Sequence, residues 1–238
     1  MIVTQEFSVK VEDQIVLNDL HLEFGPGVHI IMGPNGVGKS TFAHALMGNP
    51  NYITEGAVEF YGKDLLAMPT FERAQAGLFL GFQQPTPIEG LSNFQLLHQV
   101  LSRRDDAKRL TENLNEFKQL AETFKLPDNW DKKQLNVEAS GGEKKKNELI
   151  QMELLDPKCV ILDEPDSGLD VDAIKHLIKF LNVFSQKPDK IVLIISHYSQ
   201  LINSLNVDTV TILGKDKVVR GDITLANDVL VNGFEEYV

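Results

Sequence analysis

The sequence of 238 residues carries a formal net charge of −11, which argues against a protein that binds nucleic-acid phosphates or docks on an anionic membrane surface. Its 42% apolar and 24% charged residues are typical of a soluble globular protein, and no apolar run approaches the roughly 20 residues needed for direct membrane insertion. A single cysteine excludes an internal disulfide or a metal cluster held by this chain's thiolates alone, and it fits a reducing, cytoplasmic location.

The N-terminal residues alternate between apolar and polar side chains, which is typical of strands that bury one face. Phe7 and Val9 mark one such strand, and the segment 20–24 marks the next. A turn at 25–27 then leads into the apolar run 28–32. We therefore predict an antiparallel β unit followed by a buried strand.

A glycine-rich stretch follows the buried strand and fits the pattern G-x-x-x-x-G-K-[ST], the P-loop of nucleotide triphosphate binding proteins. Glycines let the backbone approach phosphates closely, and the following helix start offers partial positive charge to them. Lys39 is expected to reach the β- and γ-phosphates, and the Ser40 hydroxyl to bind Mg²⁺. The residues predicted to bind the nucleotide are Gly33, Pro34, Asn35, Gly36, Val37, Gly38, Lys39, Ser40 and Thr41.

The next predicted elements are a helix that ends at Gly48, a strand at 56–62 and a buried strand at 77–82. Gln83 follows that buried strand, and its amide could bind Mg²⁺ or position water. Residues 92–126 then carry apolar side chains at steps of three and four, which indicates amphipathic helix. This change of pattern predicts a helical insertion between the strands of a larger sheet.

Two carboxylates follow the apolar run 159–162, at the strand end where open α/β sheets bind their ligands. We expect Asp163 to bind Mg²⁺ and Glu164 to orient or deprotonate the attacking water. Without a P-loop, a pair of solvated residues at a strand end would be the better interpretation.

His197 ends another apolar run, 191–195. A lone histidine is more often structural than catalytic, but its place at a strand end makes a contact with the γ-phosphate the interpretation that we favour. The two apolar runs flank a helix predicted from Asp170 to Phe184, which indicates a parallel sheet covered on both faces. The candidate catalytic residues are thus Lys39, Glu164 and His197.

Ser140 and two glycines precede the helical stretch 144–152. Serine is a preferred N-cap, and the free N–H groups of a helix start attract anions. Taken alone, however, this pattern predicts no more than an ordinary helix cap.

Together these stretches resemble, in the same order, the motifs of ABC-type ATPases, and the resemblance covers the whole chain. The motifs are Walker A at Gly33–Thr41, the Q-loop at Gln83, the signature at Ala139–Glu143, Walker B at Val160–Asp163 with Glu164, the D-loop at Ser167, Gly168, Leu169 and Asp170, and the switch His197. The resemblance implies an α/β P-loop NTPase with a mostly parallel core sheet, an N-terminal antiparallel β subdomain and an inserted helical subdomain. A single ABC ATPase domain would span residues 1–238, with 1–83 and 157–238 as the catalytic core and about 84–156 as the helical subdomain.

The family further implies ATP and Mg²⁺ as cofactors, with Ser40, Gln83 and Asp163 as the ligands of the metal. In this family two subunits sandwich two ATP molecules, so a transient ATP-dependent homodimer is expected. The signature residues that would complete the partner's γ-phosphate site are Ser140, Gly141, Gly142 and Glu143. No aromatic residue for adenine stacking is evident, so Val11 or Val16 is expected to provide an apolar contact.

Within that family, the chain is similar to the SufC-type ATPases of SUF iron–sulfur cluster assembly systems. The stretches that carry this similarity are 77–83, 90–93, 141–148, 166–173 and 196–198. The similarity implies SufB-like and SufD-like scaffold proteins as partners, which would hold the cluster while this subunit acts as the motor.

Three alternatives share the catalytic motifs. The nucleotide-binding subunit of a membrane transporter would differ only in partner-facing residues, chiefly those between Gln84 and Phe124. A translation or DNA-repair ATPase is disfavoured by the acidic balance and by the presence of one nucleotide-binding domain. A scaffold with an inactive site is disfavoured because every catalytic position is filled.

Overall fold

The computed structural model describes residues 1–101, 107–215 and 217–237, which form two compact units. Unit 1 comprises Met1–Leu80, Pro157–Pro165 and Ile178–Val238. Unit 2 comprises Gly81–Asp156 and Asp166–Leu177, so it includes a segment beyond the stretch 84–156 expected for the helical subdomain.

The strands alternate with helices through most of the described chain. The strands are β1 (Ile2–Val11), β2 (Gln14–Phe24), β3 (Gly27–Met32), β4 (Tyr52–Phe60), β5 (Lys63–Asp64), β6 (Leu78–Gly81), β7 (Ile88–Ser92), β8 (Gln134–Leu135), β9 (Cys159–Asp163), β10 (Ile191–Ile195), β11 (Val207–Leu213) and β12 (Val218–Gly221). The helices are α1 (Lys39–Met47), α2 (Thr70–Ala76), α3 (Asn93–Leu101), α4 (Ala107–Thr123), α5 (Gly141–Leu155), α6 (Val171–Ser185), α7 (Ser199–Asn203) and α8 (Ile223–Asn232). No helix in these ranges is long and apolar enough to cross a membrane.

Unit 1 contains an antiparallel sheet in the order β2-β1-β4-β5, so the predicted N-terminal antiparallel β unit is confirmed. Alternation along β1 and β2 buries Phe7, Val9 and Phe24, whose neighbours face solvent. These side chains join one apolar cluster with Phe42 of α1 and Ile161 of β9. The antiparallel sheet and the P-loop helix therefore share a core.

The larger sheet has the order β12-β11-β3-β10-β9-β6. Strands β9, β10, β3 and β11 run parallel to one another. Strand β12 pairs with β11 in the antiparallel direction. Every residue of β9 and β10 is buried, as expected for strands covered on both faces. The predicted mostly parallel core sheet is confirmed.

Two predicted strands have different bounds in the structure. Strand β4 begins at Tyr52 rather than at residue 56, because pairing with β1 extends it through residues 52–55, none of which is buried. Strand β6 ends at Gly81, so the prediction of a buried strand through Phe82 was wrong at its last residue. The Phe82 side chain is 43% exposed, and its backbone bonds to a side chain of α5 instead of continuing the strand.

Unit 2 contains α3 and α4, as the amphipathic pattern predicted, although residues 102–106 of that pattern lie outside the described residues. It also contains α5, which includes the helical stretch predicted at 144–152. Its interior includes a network of amides: Asn147 donates to Asn93 (2.8 Å) and accepts from the Trp130 indole (2.9 Å). Asn93 in turn donates to the Trp130 carbonyl at 2.9 Å. Because each buried amide has partners, the network links α3, α5 and the turn at Trp130 without an unsatisfied polar group among these three residues.

Candidate nucleotide site

The carboxyl ends of three neighbouring parallel strands lie side by side in unit 1. Ile195 of β10 pairs in register with Ile31 of β3 on one side and with Asp163 of β9 on the other. The residues that follow these positions therefore leave the sheet at the same edge. They are the start of the P-loop, Glu164 and His197, so the structure brings the predicted strand-end groups of unit 1 to one edge.

The P-loop follows β3 and depends on glycine at two close approaches. Gly33 has φ 153°, and a Cβ there would lie 2.3 Å from the Leu213 carbonyl oxygen. Gly38 has φ 105°, and a Cβ there would lie 2.6 Å from Leu17 Cδ2 and 3.0 Å from Val16 Cγ1. The loop thus packs against β2 and the end of β11. Val11 and Val16 were the two residues considered for the contact with adenine, and Val16 lies beside the loop.

Helix α1 starts directly after Gly38 and has no side-chain cap at its N-terminus. Its first N–H groups therefore have no capping side chain, which suits the binding of phosphate oxygens. The other end of α1 is held by Arg73, whose Nη1 donates to the carbonyls of Ala45 and Leu46, each at 2.9 Å. Arg73 is buried, so the P-loop helix is fixed at its C-terminus by a residue that the sequence analysis did not single out.

The Lys39 side chain is buried and folds back over the P-loop. Its Nζ donates to the carbonyls of Gly33 (2.8 Å) and Pro34 (2.9 Å). Burial lowers the pKa of Lys39, while the nearby carboxylates of Glu164 and Asp163 raise it. The ammonium group of Lys39 therefore interacts electrostatically with both Walker B carboxylates.

The two carboxylates differ in their environment. Asp163 is the last residue of β9 and is only 1% exposed. Glu164 is half-buried and has φ 46°, a left-handed backbone that is uncommon for a side chain of this size. Its N–H donates to the Ile195 carbonyl at 2.9 Å, which holds the unusual conformation in place. Strained residues held in this way are often found at functional sites.

The backbone on either side of His197 is also fixed. Ser196 is fully buried, and its Oγ accepts a hydrogen bond from the Tyr198 N–H at 2.9 Å. The half-buried His197 lies between them and makes an edge contact with the ring of Phe234, a residue near the C-terminus. The sequence pattern gave no signal for Phe234, because nothing in its spacing connects it with β10.

Gln83 lies in unit 2, just after a backbone position held by a buried ion pair. The Phe82 N–H donates to Glu148 Oε1 at 2.8 Å, and Lys145 Nζ donates to the Phe82 carbonyl. Lys145 and Glu148 face each other at 3.6 Å, and burial raises the pKa of Glu148 to about 7. The segment before Gln83 is therefore tied to α5 through both of its backbone groups. The i, i+3 spacing of this pair was the available sequence signal.

The signature stretch begins α5 with a capping box, which confirms the predicted serine N-cap. Ser140 Oγ accepts from the Glu143 N–H at 3.3 Å, and the Ser140 N–H donates to Glu143 Oε2 at 2.8 Å. Hydrogen bonds from the Ser140 backbone and hydroxyl lower the pKa of Glu143. Gly141, by contrast, has open space where a Cβ would be.

The D-loop lies against the signature helix within unit 2. A Cβ on Gly142 would lie 2.7 Å from the Gly168 carbonyl oxygen. Lys146 Nζ donates to Asp170 Oδ2 at 2.6 Å, while Asp170 Oδ1 accepts from the Ala173 N–H at 2.9 Å at the start of α6. Two of the predicted motifs are therefore packed together in the same chain.

Lys39, Asp163, Glu164 and His197 thus belong to unit 1, whereas Gln83, the signature and the D-loop belong to unit 2. The oxygen donors predicted for Mg²⁺ are of the kind that this ion prefers: a hydroxyl at Ser40, a carboxylate at Asp163 and an amide at Gln83. The buried carboxylate of Asp163 fits a divalent cation, because a buried negative charge is stabilised by positive charge close to it.

A parallel sheet with a P-loop, two strand-end carboxylates and a strand-end histidine defines a P-loop nucleotide triphosphatase. Comparison with known proteins narrows this class. The family model described as ABC transporter matches residues 17–167. The chain is 39% identical over 98% of its length to the probable ATP-dependent transporter SufC of Escherichia coli, of which the match covers 97%.

Two further relatives are similar over nearly the whole chain. Vegetative protein 296 of Bacillus subtilis is 37% identical, with 97% of this chain and 90% of that protein covered. The probable ATP-dependent transporter ycf16 of Pyropia yezoensis is also 37% identical, with 97% and 95% covered. The chain therefore belongs to the ABC transporter family of ATPases, in which it is a SufC-like ABC ATPase.

Solved structures support the same fold at lower identity. The ATP-binding subunit of an ABC transporter superposes with a TM-score of 0.78 at 24% identity, covering 93% of this chain and 90% of that one. The ATP-binding cassette MJ0796, in a dimeric post-hydrolysis state with ADP and Pi, gives 0.77 at 18% identity, with 94% and 99% covered. The predicted ABC ATPase fold is confirmed, and the chain is an enzyme that binds and hydrolyses ATP.

Proposed function

We propose that this ATPase is the motor subunit of a SUF-type iron–sulfur cluster assembly complex, in which ATP-driven dimerisation reshapes SufB-like and SufD-like scaffold proteins. The observation that carries the proposal is the similarity to SufC and ycf16 proteins, which extends over nearly the full length of both chains. The single, fully buried thiol of Cys159 agrees with it, since the partners would have to supply the thiolates that hold a cluster.

In the proposed mechanism, the P-loop holds the triphosphate and Lys39 donates to its β- and γ-phosphates. Ser40, Asp163 and Gln83 would hold Mg²⁺, which when bound neutralises charge on the phosphate oxygens. Glu164 orients the attacking water and accepts its proton, while His197 contacts the γ-phosphate. The in-register strand ends of β3, β9 and β10 support this division of roles, because they bring the catalytic groups of unit 1 to one edge.

The signature residues Ser140, Gly141, Gly142 and Glu143 are proposed to act on the ATP held by a second copy of the chain. The uncapped start of α1 and the signature start of α5 are separate anion-receptive helix ends, which supports two contributions to one phosphate group. A dimer would then hold two complete sites, and closing it on ATP would move the attached scaffold proteins.

The test is purification of the tagged full-length chain from its source cells, with the aqueous and detergent-extracted fractions analysed separately. We expect SufB-like and SufD-like proteins to co-purify from the aqueous fraction at fixed stoichiometry. Lys39→Ala serves as the control for nucleotide dependence. Recovery with an integral membrane protein instead would refute the proposal.

A second candidate, the nucleotide-binding subunit of a transporter, is favoured by the names of several relatives. One is the probable ABC transporter ATP-binding protein SpyM3_0208 of Streptococcus pyogenes, 36% identical over 95% of this chain and 90% of that protein. The same purification separates the two candidates, because a transporter subunit would appear in the detergent-extracted fraction.

A further inference from the structure

The C-terminal segment after α8 is folded back by a set of hydrogen bonds. Helix α8 is followed by its C-cap residue Gly233, which has φ 85° and whose N–H donates to the Val229 carbonyl at 2.9 Å. The Tyr237 N–H donates to the Phe234 carbonyl at 2.9 Å, which closes a turn around Phe234. This turn is the last structured feature of the described chain.

Asp228 of α8 holds the turn against the helix. Its Oδ2 accepts from the Tyr237 hydroxyl at 2.6 Å, and its Oδ1 accepts from Asn232 Nδ2 at 2.7 Å. We call Asp228 and Tyr237 the tail latch. Because the latch fixes both sides of the turn, the position of the Phe234 ring is set by the fold of the segment itself.

The Phe234 ring meets His197 edge-on, with the ring centroids 5.7 Å apart and the planes at 84°. This T-shaped arrangement is one of the two favoured geometries for aromatic pairs, together with offset stacking. Both side chains are half-buried, and both belong to unit 1. Helix α7, which follows His197, also packs against α8, so the two segments are joined by more than the ring pair.

The strand end alone does not determine where the imidazole points. The Ser196–Tyr198 hydrogen bond fixes the backbone around His197, and the two side-chain torsions then depend on the groups packed against the imidazole. The ring of Phe234 is one such group, and its perpendicular packing restricts rotation about those torsions. A γ-phosphate contact requires the imidazole nitrogen to be held within hydrogen-bond distance, so a group that restricts the ring contributes to catalysis without touching the nucleotide.

We propose that Phe234 is a positioning residue for ATP hydrolysis: held by the tail latch, it keeps the imidazole of His197 in the orientation that contacts the γ-phosphate. The proposal rests on the role proposed above for His197. It assigns a function in turnover to a C-terminal segment that contains none of the family's motifs.

The test uses the full-length chain and compares kcat with KM for ATP. Phe234→Leu removes the ring but keeps an apolar side chain, and we expect kcat to fall about 2- to 10-fold with KM unchanged. Phe234→Tyr keeps an aromatic ring at this position and should keep kcat at the parental value. Tyr237→Phe opens the latch and should lower kcat in the same direction. Val231→Ala, at an 82% exposed position of α8, is the matched control and should have no effect.

A double-variant cycle separates this proposal from a merely structural role. In a His197→Gln background, Phe234→Leu should cause no further loss, because the orientation that it maintains is already absent. A loss of equal size in both backgrounds would overturn the proposal. If His197→Gln itself keeps the parental kcat, the role proposed for His197 fails; if it loses activity and Phe234→Leu does not, only the role of Phe234 fails.

Proton NMR gives a readout that does not depend on turnover. The ring proton of His197, identified as the resonance missing in His197→Gln, should carry a ring-current shift from Phe234. That resonance should move in Phe234→Leu and stay in place in Val231→Ala, while the other histidine resonances are unchanged in both. An unmoved His197 resonance in Phe234→Leu would overturn the contact on which the proposal depends.

Discussion

Glu164 differs from its neighbour Asp163 in backbone conformation and in burial. Its left-handed backbone, held by the Ile195 carbonyl, turns the chain away from the strand direction just after Asp163. Two successive carboxylates of a strand would otherwise point to opposite faces of the sheet. The left-handed backbone at Glu164 therefore interrupts this alternation at the edge of the sheet.

We predict that Glu164→Gln lowers kcat for ATP hydrolysis by about 10²- to 10⁴-fold, because an amide cannot accept a proton from water. ATP binding should be retained, so a dimer with bound ATP should accumulate. Steady-state hydrolysis and size-exclusion chromatography with ATP measure the two effects.

Lys39→Ala is the control for that experiment, since it should lose ATP binding and form no dimer with ATP. Hydrolysis by Glu164→Gln at the parental rate would show that Glu164 is not the base.

His29 of β3 is a buried histidine with a structural role. Its Nε2 donates to the Gly25 carbonyl at 2.8 Å, since a carbonyl can only accept, and Nδ1 then accepts from the Thr209 hydroxyl at 2.7 Å. Burial lowers the pKa of His29 below 6.5. The neutral ring is therefore the form that the fold accommodates.

The sign of the pH effect follows from that pKa. Because the folded-state pKa is lower than the unfolded one, the unfolded chain binds more protons at acid pH, so His29 destabilises the fold as the pH falls below 6.5. We predict that thermal melts between pH 7.5 and 5 show a steeper loss of Tm for the parent than for His29→Gln. Equal slopes for parent and His29→Gln would exclude His29 as the cause.

At the scale of elements, helix α5 carries two sets of residues. Its start carries the signature, while Lys145 and Glu148 on its first turns hold the segment before Gln83. The run of three lysines resembles a solvated face, yet Lys145 is only 3% exposed. Its burial also depends on the Phe82 carbonyl, which accepts a hydrogen bond from Lys145 and lies 63 positions away in the sequence, so a local pattern does not indicate it.

The neighbouring glycines of α5 allow the proposed contact with a second copy to be tested separately from packing within the chain. We predict that Gly141→Ala lowers kcat about tenfold or more, because in the proposed two-copy site the added methyl group would face the partner's phosphates. Within its own chain, the methyl group would occupy open space. The Tm of this variant should stay within about 2 °C of the parent.

Gly142→Ala is the contrasting variant, since its Cβ meets the Gly168 carbonyl oxygen in the same chain. It should lower Tm as well as kcat. If Gly141→Ala hydrolysed ATP at the parental rate, the signature start would not face a phosphate in trans.

At the scale of the whole molecule, some features of the structure could be predicted from the sequence and others could not. The strand ends at Asp163 and His197 were predictable, because apolar runs followed by polar residues mark the carboxyl edge of a parallel sheet. The contact between Phe234 and His197 was not, because it depends on how α8 returns to the sheet. The contact between Arg73 and the end of α1 was not predictable either, because it also joins residues that are far apart in the sequence.

At this scale, we predict that ATP hydrolysis per chain rises with protein concentration and reaches a plateau, because each complete site requires two copies. Initial rates across a dilution series measure this, and Gly141→Ala should show a much lower plateau. A rate per chain independent of concentration, at concentrations where the chain is monomeric by light scattering, would contradict the two-copy site.

Because Cys159 is buried, the chemical modification of its thiol can report how often the sheet around it opens. It is the chain's only cysteine, it lies in β9 between β10 and β6, and burial raises the pKa of its thiol to about 12. Since the thiolate is the reactive form, an alkylating reagent can modify the folded chain only when the sheet separates. The mass added over time therefore measures how often the nucleotide-binding core comes apart, in the unmodified sequence and without any engineered label.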